Sequence, residues 1–149
     1  MKMRGFEIVT SFLDKNINIP VRKTARSAGY DIEAAENVEV APGAMVKIAT
    51  GLKAYMQDDE YLGIHIRSSL GINKQLMLAN SQGVIDADYY NNPDNEGHII
   101  IAIRNMGDEP VTISKGDRIA QGIFYRYLIA DDDKAAGSRV GGFGSTGIR

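Results

Sequence analysis

The sequence contains no cysteine, which excludes disulfides, thiolate zinc sites and cysteine nucleophiles. It has two histidines, His65 and His98, too few for a histidine-rich metal centre. No apolar run approaches the roughly 18 residues that a membrane-spanning helix requires. The opening stretch MKMRGFEIVTSF lacks the apolar core and cleavage pattern of a signal peptide. An excess of one charge is missing too. The net charge is −2, so there is no broad positive field to attract nucleic acid or an anionic membrane. Together these absences point to a soluble cytoplasmic protein that binds neither nucleic acid nor membrane.

What is present suits one globular domain. The chain has 149 residues, 44% hydrophobic and 24% charged, both close to the globular average. A chain of this length buries enough surface to fold without staples. Strand signals dominate. In the run from Glu60 to Arg67, Leu62, Ile64 and Ile66 fall on one face and Tyr61, His65 and Arg67 on the other. Val38 and Val40 precede the turn signal Ala41-Pro42-Gly43, and Val46 and Ile48 alternate toward Gly51. His98 to Arg104 puts Ile99, Ile101 and Ile103 together, and Val111 to Ser114 runs into the turn Lys115-Gly116-Asp117. Ile119, Gln121, Ile123 and Tyr125 are expected to share a face of the next strand. Short strands with turn residues between them predict an all-β sandwich, jelly roll or barrel. The one helix candidate is short, over Leu70 to Gln75, with Ser68 or Ser69 as its cap. The predicted organisation is a β domain over 1–130 and a small, polar, Gly-rich, flexible C-terminal arm over 131–149.

Five short stretches could carry chemistry. Ala28-Gly29-Tyr30-Asp31 alone reads as a glycine turn. Arg67-Ser68-Ser69-Leu70-Gly71 joins a guanidinium and two hydroxyls to a helix start, which suits a phosphate, or a plain cap beside a surface arginine. Gly83-Val84-Ile85-Asp86-Ala87-Asp88-Tyr89 ends a strand in carboxylates and a phenol. A carboxylate there can take a proton from water, and a tyrosine can form a flat wall. Asn80, just before it, offers the donor and acceptor that a pyrimidine edge requires. The same stretch also reads as an acidic turn. Gly116 to Gln121 reads as a turn and a strand. Gly142-Phe143-Gly144-Ser145-Thr146-Gly147 sets a phenylalanine among glycines, whose backbone amides can converge on an anion.

In this order, the five stretches resemble the motifs of the trimeric dUTP pyrophosphatase (dUTPase) family: AGYD, RSSxG, GVIDxDY, GDRIAQ and GFGSTG. The resemblance runs from about Ala28 to the end of the chain. It implies a distorted jelly roll, a homotrimer with active sites shared between subunits, and a C-terminal arm that closes over a site. It further implies hydrolysis of dUTP to dUMP and pyrophosphate, with Asp86 as the base that activates water. Mg²⁺ would sit on the triphosphate, its waters held by Asp31. By the same resemblance, Arg67, Ser68, Ser69 and Gln121 hold the phosphate chain. Asn80 and the backbone of Gly83, Val84 and Ile85 read uracil. Tyr89 packs on the deoxyribose and leaves no room for a 2′-hydroxyl. Phe143 stacks on the base, and Arg139, Gly144, Ser145 and Thr146 grip the distal phosphates.

Two features depart from the family pattern. Tyr90 replaces the more usual arginine after Tyr89, and Asn92-Pro93-Asp94-Asn95-Glu96-Gly97 lengthens the loop that follows. Arg139 stands one residue closer to Phe143 than the family spacing. Asp88 is expected to support the turn. Two other functions remain open. A dCTP deaminase of the same fold would need a glutamate where Ala102 falls. A nucleotide-sensing regulatory protein would use the same pocket and arm.

Overall fold

Alternating branched apolar residues become paired strands in the computed structural model, which describes residues 1–142. The strands are β1 (Gly5–Ile8), β2 (Tyr30–Glu33), β3 (Val38–Val40), β4 (Met45–Ala49), β5 (Leu52–Tyr55) and β6 (Glu60–Ile66). They continue as β7 (Leu76–Leu78), β8 (Gly83–Asp86), β9 (Ile100–Asn105), β10 (Val111–Ile113) and β11 (Arg118–Arg126). One short helix, α1 (Ser68–Asn73), interrupts them. The sheets are β2-β11-β6-β8, β4-β9-β7, and two ribbons, β1-β5 and β10-β3. Every pairing is antiparallel. This is the all-β, jelly-roll-like fold that the alternation predicts.

The inward faces meet in one core. Leu62 and Ile64 of β6, Ile101 and Ile103 of β9, and Ile32, Ile48 and Ile99 are each at most 2% exposed. Full burial of each such side chain stabilises the fold by about 1.5–3 kcal/mol. The alternation in β6 and β9 is thus read out as predicted.

Three details differ from the sequence expectation. Ile119 does not share a face with Gln121, Ile123 and Tyr125. Between Arg118↔Glu33 and Ala120↔Ile32 the register of β11 against β2 shifts. The extra residue of this bulge reverses the parity of side chains, so Ile119 enters the core at 0% exposure. The helix begins at Ser68, and its N-cap is Arg67 with no side-chain cap bond, so neither serine acts as the cap. β1, β5 and β7 are not among the strands expected from the sequence. β5 is buried at Leu52, Lys53 and Ala54 in succession, because both of its faces are covered.

Candidate active site

Asp86 closes β8, with Tyr61 of β6 as its cross-strand partner. It also precedes the 3-10 turn Ala87–Tyr89, yet its side chain makes no cap bond. An Asp in that position ordinarily spends its oxygens on turn amides. Here the carboxylate is 47% exposed and borders a cavity of about 210 Å³. Asn80, Gly83, Val84, Ile85 and Tyr89 line the same cavity, over a floor that includes Ile64, Leu78 and Ala102. The sequence-predicted base, base-reading backbone and sugar wall therefore converge. Position 102 contributes only a methyl group there, with no carboxyl to shuttle protons.

The chain beyond β11 returns to this cavity. Arg139 contacts the Asp86 carboxylate, and its Nε donates to Asp88 Oδ1 at 2.7 Å. The hydrogen bond to Asp88 raises the guanidinium pKa; burial, the next-largest influence, opposes it, and the Asp88 and Asp86 charges add to the rise. Asp94 N donates to Val140 O at 3.2 Å, and Gly142 lines the cavity against Tyr89. Asp88 thus receives the arm rather than only supporting its own turn. Phe143, Gly144, Ser145 and Thr146 lie outside the described residues.

Tyr89 is 6% exposed, and burial pushes its phenol pKa up. Its hydroxyl donates to His98 O at 2.7 Å and accepts from Asn95 Nδ2 at 2.8 Å. The longer loop that follows is anchored at its outer end. Lys53 of β5, 9% exposed, donates to Asn91 Oδ1 at 2.6 Å and Glu96 Oε2 at 2.7 Å. That contact holds the Glu96 carboxyl below the usual carboxylate range. Tyr90 donates to Glu7 at 2.5 Å, which fastens the residue standing in for the usual arginine to β1.

A second cavity, of about 360 Å³, is lined by Asp31, Arg67, Ser68, Ser69 and Gln121, together with Lys23, Ser27 and Gly29. Asp31 of β2 and Gln121 of β11 are direct cross-strand partners. A side chain at Gly29 would place Cβ 2.2 Å from Gln121 Oε1, so a larger residue there would displace the amide. Asp31 Oδ2 lies 3.7 Å from an Arg118 nitrogen. Hydroxyl, amide and guanidinium donors beside one carboxylate suit a phosphate chain.

The two cavities share no lining residue. Asp86 faces Tyr61, and Arg67 lies six residues further along the chain, one residue past the end of β6. At about 3.3 Å per residue, roughly 20 Å separates them. A single chain therefore presents the Asp86 carboxylate and the Arg67 donors in separate places.

The sequence model of the dUTPase family matches residues 15–147. The chain is 58% identical to the deoxyuridine 5'-triphosphate nucleotidohydrolase of Lactococcus lactis, with 99% of each chain covered. The chain belongs to the dUTPase family. The crystal structure of the Streptococcus mutans dUTPase matches with a TM-score of 0.80 at 50% identity, covering 85% of this chain and 98% of that one. A Staphylococcus bacteriophage 80alpha dUTPase mutant with dUpNHpp shares the fold, with a TM-score of 0.73 at 20% identity over 92% of this chain and 98% of that one.

Against the dUTPase motifs, sequence reasoning missed Lys23 and Ser27 in the second cavity, and Asn92, Asn95 and His98 around Tyr89. The pattern Asn-x-x-Asn after Tyr89 was the available signal, since asparagines commonly bond their own loop backbone. Among the described residues no helix is long and apolar enough to cross a membrane.

Proposed function

We propose that this enzyme of the dUTPase family hydrolyses dUTP to dUMP and pyrophosphate in a homotrimer, each site joining the Asp86 cavity of one copy to the Asp31–Arg67–Gln121 cavity of another. The separation of roughly 20 Å between Asp86 and Arg67 within one chain carries this reading. It favours a second copy at each site, and a closed symmetric assembly would supply one. Tyr61 and Tyr125, stacked at 5.1 Å, lie half-buried on the sheet beside Asp86 and suit such an interface.

In this reading, Asp86 takes a proton from water as the oxygen bonds to the α-phosphorus. The bond from the α-phosphorus to the bridging oxygen breaks, and pyrophosphate leaves with that electron pair. Arg67, Ser68, Ser69 and Gln121 hold the phosphates and stabilise the charge that develops. Among the described residues, no group of three or more His, Asp or Glu could hold a metal. Asp31, beside the Arg67, Ser68 and Ser69 donors in the second cavity, would hold the waters of a Mg²⁺, which would supply positive charge to the triphosphate. Asn80 with the backbone of Gly83 to Ile85 reads uracil, and Tyr89 walls the deoxyribose. The arm over 131–149 closes the site. Arg139 exchanges Asp86 and Asp88 for the distal phosphates, Phe143 covers the base, and Gly144, Ser145 and Thr146 join the phosphate grip. The physiological consequence is removal of dUTP before it enters DNA and supply of dUMP for thymidylate synthesis, in the cytoplasm.

Pyrophosphate release from dUTP with Mg²⁺, measured against a heat-killed control, tests the activity; no release above control refutes it. Asp86→Asn is expected to lower kcat by about 10²–10⁴-fold while dUpNHpp still binds. Mixing Asp86→Asn with Arg67→Ala chains, each inactive alone, tests site sharing. Unfolded and refolded together at equal amounts, they should recover about a quarter of the wild-type rate by random assortment. No recovery from mixed oligomers rejects the shared site.

A further inference from the structure

We propose that Asn95 is a positioning residue for sugar selection: it locks Tyr89 so that the ring, and not the hydroxyl, meets the nucleotide. This rests on the reading of Tyr89 as the deoxyribose wall and adds how the wall is held. The Tyr89 hydroxyl has one proton, and that proton goes to His98 O at 2.7 Å. Asn95 Nδ2 donates to the same oxygen at 2.8 Å. The orientation of the Asn95 amide is set independently, because its Oδ1 accepts from Gly97 N at 3.1 Å and Asn92 Nδ2 at 2.8 Å. Asn92, 4% exposed, ties off the main chain through Nδ2 to Tyr89 O at 2.7 Å. Gly97 (φ +87°) brings the loop back so closely that a Cβ there would lie 2.7 Å from Tyr89 O.

The consequence is chemical. A tyrosine whose proton is committed offers substrate no hydrogen-bond donor. A 2′-hydroxyl pushed against its ring would give up water and gain no partner from Tyr89. Rejecting a hydroxyl in this way requires a wall that does not move, since a hydrophobic pocket alone discriminates poorly against an added hydroxyl. The residues between Asn92 and Gly97 supply that rigidity.

The test is kcat/KM for dUTP and for UTP in the full-length protein, with the thermal midpoint measured alongside. Asn95→Ala is expected to lower the dUTP/UTP ratio at least tenfold, chiefly by raising the rate with UTP. Asn95→Asp keeps the shape and the Gly97 acceptor but loses the donor to Tyr89. It is expected to lower the ratio as well, and it serves if the alanine variant does not fold. Tyr89→Phe combined with Asn95→Ala should be no worse in ratio than the more affected single variant. If the Asn95 variants keep the wild-type ratio while Tyr89→Ala loses it, the wall stands and its positioning by Asn95 is overturned. If Tyr89→Ala keeps the ratio too, the reading of Tyr89 itself is wrong.

Discussion

Acidification from pH 7.5 to 5.5 should weaken the fold through one histidine. His98 Nε2 accepts the Gly51 N–H at 2.9 Å, and its ring packs on Phe12 at 5.0 Å between centroids. Burial lowers its pKa from the ordinary 6.5, while Glu36 and Glu96 pull weakly the other way. Protonation would set an N–H against the Gly51 N–H. Between the folded pKa and 6.5 the unfolded chain binds the extra proton, so stability rises with pH there. The contribution is fully present above the unfolded pKa and is lost as pH falls through the folded pKa. If His98 stays neutral in the fold throughout, the loss over this interval is at most about 1.4 kcal/mol. Glu60 and Glu96 do not interfere, because both titrate below the ordinary 4.5. The assay is urea unfolding at a series of pH values and one protomer concentration, since assembly also shifts apparent stability. His98→Gln leaves a hydrogen-bond acceptor without the titration and should flatten the wild-type decline between pH 7.5 and 5.5. An undiminished decline in His98→Gln, or wild-type stability that increases on acidification, would refute the reasoning.

Two further perturbations act elsewhere. The Glu60 carboxyl is 4% exposed and is lowered first by its hydrogen bonds from Arg4, at 2.9 and 3.1 Å. Its contribution is present above about pH 4.5 and lost as pH falls through the lower folded value, so Glu60→Gln should flatten the acid limb of an unfolding profile below pH 4.5. Gly97→Ala should cost about 1–3 kcal/mol, because its Cβ would strike Tyr89 O at 2.7 Å. Gly43→Ala, with similar positive φ but nothing within 4 Å of its Cβ, should cost less in the same thermal melt.

Much of the candidate site was legible because its parts are local in sequence. Asp86 and Tyr89 sit three residues apart, across a strand end and one turn, and Asn80 lies in the turn that leads into β8. The second cavity was legible as types of donor at Arg67, Ser68, Ser69 and Gln121, but not as a place. Lys23 and Ser27 join it where the segment before β2 folds back, with Asp31 N donating to Val21 O at 3.0 Å. The Arg139 contact with Asp86 spans 53 residues, and no local pattern announces it.

The alternation of branched apolar residues at Leu62-Ile64 and Ile99-Ile101-Ile103 determined by itself that the chain would form strands with one buried face. That pattern is a property of neighbouring residues, and a side-chain period of two follows directly from it. The motif segments likewise determined the chemistry at hand: a carboxylate, a phenol, a guanidinium and hydroxyls. Only the tertiary structure decided that Ile119 turns inward at a bulge, that Asn95 holds the Tyr89 hydroxyl, and that Asp86 and Arg67 lie in separate cavities. Register, loop closure and the commitment of each hydrogen-bond donor depend on which distant surfaces pack together. Those choices are made by the whole chain at once rather than by any window of it.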